Sequence, residues 1–158
     1  MENNKRSAKH QRLPGLENAL KLVNDNLGEK ERELVGELTA PEYAPVFIVG
    51  TARSGTTLIL QWLAATQQFA YPSNIISRFY KAPYLGAMVH KIMTEFDTHG
   101  ELFGENGHSF RSSLGKTQGA ASPHEFWYFW RRFFPFGTYQ QLTNEQIKKA
   151  NTSGFLTG

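Results

Sequence analysis

The chain has 158 residues, 40% hydrophobic and 20% charged, with a net charge of +3 and no cysteine, which suits one globular domain and excludes a disordered or fibrous chain. The lack of cysteine excludes a disulfide framework and a thiolate metal site, and so small a net charge gives no ground for nucleic-acid binding. No apolar run is long enough to span a bilayer and no apolar leader opens the chain, so no transmembrane segment and a cytoplasmic location are expected.

Residues 1–15 hold Lys5, Arg6, Lys9 and Arg12 without apolar periodicity, then Pro14 and Gly15, which predicts a solvated, disordered basic tail. Residues 16–44 read as a helical segment and a linker. Leu16, Leu20, Val23 and Leu27 recur at helical spacing, Gly28 interrupts them, and Leu34, Val35 and Leu38 resume the stripe. The spacing predicts one or two amphipathic helices on the outside of the core, ended by Pro41 and Pro45.

Val46, Phe47, Ile48 and Val49 then predict a short strand buried on both faces, as in a parallel sheet. A turn bounded by Gly50 and Gly55 follows, and 56–65 reads as a helix with Leu58/Trp62 and Ile59/Leu63 paired one turn apart. Strand, glycine-bounded loop and helix together make an anion cradle. A loop that wraps over a helix N-terminus aims unpaired backbone N–H groups at one point, and the helix dipole adds partial positive charge there. Glycine lets the backbone approach an anion, Arg53 adds a planar charged fork, and Ser54, Thr56 and Thr57 add hydroxyl donors. No Asp or Glu stands between Glu42 and Glu95, whereas Arg53, Arg78, Lys81 and Lys91 do, so this segment is locally positive. The spacing of the two glycines matches the start of a nucleotide-binding P-loop, but Thr56 occupies the place of its Lys, which disfavours ATP or GTP hydrolysis.

Beyond the cradle, 69–72 predicts a short edge strand ending at Pro72, and Pro83 opens a helix whose apolar face is Leu85, Met88, Val89, Ile92 and Phe96. Residues 97–123 are rich in Gly, Ser and His and read as a long irregular connection placed to line an acceptor pocket. Phe126, Trp127, Tyr128, Phe129, Trp130, Phe133, Phe134 and Phe136 cluster around Arg131 and Arg132, a density that predicts core packing. Thr143 and Gln146 form a capping box for a last helix over 144–150.

The run Arg53-Ser54-Gly55-Thr56-Thr57-Leu58, placed directly after an apolar strand, resembles the phosphosulfate-binding loop of the sulfotransferase family. Residues 69–74, 77–80 and 126–132 are similar to a bacterial branch of that family, so the resemblance covers 45–136. It implies an α/β fold, the P-loop NTPase-like three-layer arrangement with a central parallel sheet, for a domain over 45–158. Only one strand is convincing, so helices are expected to dominate what this chain contains. The resemblance further implies a sulfuryl donor, 3′-phosphoadenylyl sulfate (PAPS), held by Arg53, Ser54, Gly55, Thr56 and Thr57, with no metal. The acceptor would be a hydroxyl or amine of a small molecule or glycan, and Arg53 would stabilise charge on the leaving phosphate. The family's second site, for the donor's 3′-phosphate, has no candidate here, which implies the N-terminal portion of a longer enzyme. Where some relatives carry a catalytic Glu, this chain has Ser73-Asn74, so the base must come from His124, Glu125, His108 or Glu105. His124 is chosen because imidazole titrates near neutral pH and Ser122-Pro123-His124-Glu125 sits at a loop-to-helix junction. His10, His90 and His99 have no metal-ligand spacing. The alternatives are a degenerate P-loop kinase or NTPase, and a non-catalytic anion-binding chain.

Overall fold

The computed structural model describes residues 13–36, 38–40, 42–51, 53–102, 111–113 and 115–133. The capping box at Thr143 and Gln146, the aromatics Phe134 and Phe136, the base candidates His108 and Glu105, and most of the basic tail lie outside them. The described part is a mixed chain of helices with one small two-stranded sheet.

Helix α1, Pro14–Val35, is a single helix that begins inside the stretch expected to be tail and runs straight through Gly28. Pro14 at its first turn gives up an N–H that would have had no partner, and Glu17 and Arg32 complement the dipole at the two ends. Of the expected apolar stripe only Leu20 is buried, and polar residues complete the inward face. Leu20, Asn24 and Glu31 are buried, whereas Leu16 and Val23 are exposed. Asn24 explains why: its Nδ2 donates to the carbonyl of Leu20 (2.8 Å) and of Arg78 (2.7 Å), and its Oδ1 accepts from Lys81 N–H (2.7 Å). A fully buried amide with all these contacts outcompetes a leucine, because it satisfies a buried carbonyl and an N–H of the 78–81 turn that a leucine would leave unpaired.

Helix α3, Pro83–Thr94, packs on a 3₁₀ turn, Ile76–Phe79, and on α1. No residue of its own caps it. Instead the buried Glu31 carboxylate of α1 accepts from Tyr84 N–H (2.5 Å) and Leu85 N–H (3.0 Å), joining two helix ends and meeting the positive end of the α3 dipole. Gly86 lets α3 sit against Phe79, since a Cβ there would stand 2.8 Å from the Phe79 Cβ. The expected apolar face of this helix is therefore corrected. Met88, Ile92 and Phe96 are exposed, and the close contact is made on the side of Ala82 and Gly86.

Residues 112–117 form a hairpin, β1 (Ser112–Ser113) with β2 (Lys116–Thr117), turning at Gly115 with φ +79°. The expected connection over 97–123 thus contains structure of its own. The edge strand expected at 69–72 is absent, but Ser73 just beyond it bridges Pro123 in antiparallel fashion. The aromatic run opens α4, Trp127–Trp130, in which Phe126 is buried and stacked on Phe129 at 4.7 Å, while Trp127 stays exposed.

The central parallel sheet expected from the sequence is not present among the described residues. Residues 46–49 form no strand and have no strand beside them among the described residues, and Val46, Phe47 and Val49 stand exposed, Val49 at 90%. Helix α2, Thr56–Ala65, forms as expected, yet Leu58, Ile59 and Trp62 are exposed for the same reason. An apolar β-branched run is buried by ladder hydrogen bonds to neighbours, and no neighbouring strand is described here.

Candidate functional site: the loop at the start of helix α2

The glycine-bounded loop closes on itself. A Cβ at Gly50 would stand in the same space as the Ser54 hydroxyl, 2.4 Å away, and 2.7 Å from the Thr56 methyl, so only glycine fits under the loop. Ser54 N–H donates to Thr51 C=O (3.2 Å), which holds the turn. Arg53 (φ +64°) and Gly55 (φ +87°) both lie in the left-handed region. That conformation is free for Gly55 but costs Arg53 about 1 kcal/mol, and such strain concentrates where a backbone is shaped for a ligand. Gly55 is the N-cap of α2 and its carbonyl accepts from Leu58 and Ile59, so Thr56 and Thr57 follow as the first two helical residues. Their N–H groups have no partner among the described residues, as expected at a helix start, and point where the dipole is positive. Ser54, Gly55 and Arg53 are exposed, and Thr56 and Thr57 half-buried.

A second segment comes to this loop from far along the chain. His124 N–H donates to Pro72 C=O (2.7 Å), Asn74 N–H to Ser122 C=O (2.9 Å) and Ile75 N–H to Ala120 C=O (3.0 Å). Asn74 Nδ2 adds bonds to the Gly119 carbonyl (2.8 Å) and Thr117 Oγ1 (3.1 Å), and Thr117 Oγ1 donates to Pro123 C=O (2.7 Å). Stitched in this way, 117–124 delivers Glu125 to the cradle. Thr57 Oγ1 donates to Glu125 Oε1 at 2.6 Å, and Trp127 Nε1 donates to Glu125 Oε2 at 2.6 Å. The hairpin turn covers the same spot, since a Cβ at Gly115 would lie 3.7 Å from Thr57 Oγ1. The rings of Phe47 and Trp130 meet edge to face at 6.0 Å, a second contact of this segment with the cradle.

His124 is half-buried beside this link. Its Nδ1 accepts from Phe126 N–H (2.9 Å), so the neutral ring carries its hydrogen on Nε2. The bond also holds Phe126 in its left-handed conformation, φ +54°. Burial pushes the imidazole below its ordinary value of 6.5, and the nearby positive charge of Arg78 pushes it the same way. Arg53, Arg78 and Lys116 have no carboxylate partner among the described residues.

The residues expected to form the cradle, Arg53, Ser54, Gly55, Thr56 and Thr57, therefore share one loop and helix start, and His124 lies next to the residue that bonds Thr57. The Glu125–Thr57 link itself is invisible in sequence, because its partners are separated by 68 positions. No group of three or more His, Asp or Glu placed to hold a metal occurs among the described residues, and no described helix is long and apolar enough to cross a membrane. Comparisons with protein-family models, with curated proteins and with solved structures give no match to the chain.

Proposed function

We propose that this loop is the phosphosulfate cradle of a PAPS-dependent sulfotransferase, acting in the cytoplasm on a hydroxyl or amine of a small molecule or glycan. The observation that carries the reading is the closure of the loop. Gly50 passes under Ser54 and Thr56 with no room for a Cβ, and a strained Arg53 and Gly55 turn the chain into α2. This is backbone shaped to bring N–H groups around an anion, with a guanidinium at its lip and hydroxyls at Ser54, Thr56 and Thr57.

In this reading the 5′-phosphate leaves as the sulfuryl group passes in line to the acceptor. Negative charge develops on the bridging oxygen, and Arg53, always protonated, stabilises it as a fixed cation. His124 as the base would have to accept a proton at Nε2. That requires the other tautomer, and with it the loss of the Phe126 N–H···Nδ1 bond. Burial favours the neutral ring that such a role needs. The absence of a Lys at Thr56 sets this reading ahead of a degenerate kinase or NTPase. The exposure of Val46 and Val49, with no strand beside them among the described residues, favours a second reading, an anion-binding chain without transfer.

The test is calorimetric titration with PAP, the desulfated donor, against ATP with Mg²⁺. Binding of PAP over ATP that disappears in Arg53→Ala is the expected result. Equal binding of both nucleotides, or an Arg53→Ala variant as good as the parent, overturns the reading.

A further inference from the structure

The 72–75 and 120–124 segments run antiparallel, joined by the Ser73–Pro123 bridge and by backbone bonds from His124 to Pro72, Asn74 to Ser122 and Ile75 to Ala120. Arg78 follows the first segment, with its N–H on Ile75 C=O, and Lys116 precedes the second, next to the Thr117 that bonds Asn74. Neither 72–78 nor 116–124 contains an acid, so the stitch gathers Arg78, Lys116 and His124 without a carboxylate of its own. The charges of Arg78 and Lys116 act on the His124 ring, and the carboxylate that does so is Glu125. Both Glu125 oxygens are already engaged, by Thr57 and by Trp127. The Arg78 and Lys116 side chains are exposed and have no hydrogen-bond or ion-pair partner among the described residues.

The tautomer of His124 completes the set. Phe126 N–H occupies Nδ1, so Nε2 carries the hydrogen, a donor with no partner among the described residues. Burial favours the neutral ring and so keeps this form. An ammonium, a guanidinium and an imidazole N–H offer donors and no acceptor. The group that answers them is an oxyanion, which only accepts. Glu125 stands between this cluster and Thr57, and its charge disfavours a single anion spanning both.

We propose that Arg78, Lys116 and the His124 Nε2–H form a second oxyanion site, which binds a carboxylate or sulfate group of the acceptor and so selects acidic sugars. The inference rests on the α2 loop as the donor site, because that leaves the 116–124 side to the acceptor. His124 acts here in the tautomer the fold holds, as a donor that positions the acceptor.

The experiment is calorimetric titration of the full chain with a glucuronate-containing hexasaccharide, and with the same sugar after its carboxyls are reduced to alcohols. The acidic form is expected to bind about tenfold tighter at low salt. Arg78→Gln and Lys116→Gln should each remove most of that preference. Lys30→Gln, which takes the same charge from an exposed position on α1, should leave it intact. The His124 imidazole signal, assigned by NMR with His124→Gln, should titrate at higher pH when the acidic sugar is bound, because an anion favours the charged ring. Equal binding of the two sugars overturns the inference, as does a His124 titration that the acidic sugar leaves unmoved. An equal loss in Lys30→Gln overturns it by showing attraction to net charge alone. Displacement of the acidic sugar by PAP overturns it too, since the donor and the sugar would then share one site. Should PAP fail to bind while the charge preference and its loss in the two variants stand, the donor reading falls and the second oxyanion site remains. PAP binding without any preference between the sugars defeats this inference alone.

Discussion

Gly50 and Ser54 face each other across the loop so closely that a methyl group on Gly50 would lie 2.4 Å from the Ser54 hydroxyl oxygen. Contacts below 3 Å force a side chain or the backbone to move, and both neighbours here are short, Ser54 on the loop and Thr56 at the first position of α2. Gly50→Ala is therefore expected to open the cradle more than it harms the fold. Its PAP affinity should fall by about tenfold or more, with a stability loss of only about 1 kcal/mol. Titration and thermal denaturation on the same sample separate the two, and an unchanged affinity would show that the loop is not closed as described.

Asn24 is the polar pin between α1 and the turn that follows the 3₁₀ segment. Asn24→Ala strips a partner from Arg78 C=O and from Lys81 N–H at a site with no solvent access. The expected cost is about 3 kcal/mol, the sum of two stranded backbone groups. Urea denaturation measures it, and a loss below about 1 kcal/mol would mean that water replaces the amide.

Glu31 caps α3 from α1, so its two variants should differ. Glu31→Ala leaves Tyr84 and Leu85 N–H unpaired and is expected to cost about 2 kcal/mol, whereas Glu31→Gln keeps one acceptor oxygen and should cost about half of that. Equal losses in the two would place the effect in packing and not in the cap.

Two groups give the fold opposite distances from its acid limit. His124 lies below its ordinary value of 6.5, through burial first and Arg78 second, so the folded chain binds its proton less readily than the unfolded one. Its contribution to stability is present above pH 6.5 and falls away as the pH drops below that value. The thermal midpoint should decline on acidification through this range, and His124→Gln should flatten the decline. Asp25, held down to about 2 by its hydrogen bonds to Lys21 and then Lys81, acts later. Its contribution is present above the ordinary carboxylate value of 3.8 and is lost as the pH falls toward about 2. Asp25→Asn should alter only that lower limb, and a change confined to neutral pH would refute the assignment.

The turn between Gly50 and Gly55 and the start of α2 were legible from the sequence because everything they need is contiguous. Glycines at 50 and 55, hydroxyls at 54, 56 and 57, and an apolar periodic run after them specify a turn and a helix N-terminus without help from the rest of the chain. Pro83 likewise announced the start of α3 through its own fixed φ. Periodicity failed where polar side chains do the packing. The α1 stripe read from leucines gave way to Asn24 and Glu31, whose partners are backbone groups of the 78–85 region that no local pattern reveals.

The sequence by itself determined a locally positive, glycine-hinged loop followed by a helix, since these follow from φ preferences and short-range spacing. Only the tertiary structure decided that the loop's Thr57 meets a carboxylate. The stitching of 72–75 to 117–124, by backbone bonds and by Asn74 and Thr117, carries Glu125 across 68 positions into a segment that has no acid of its own. Such a contact depends on the sum of many distant hydrogen bonds, and charge counted along the chain has no access to it.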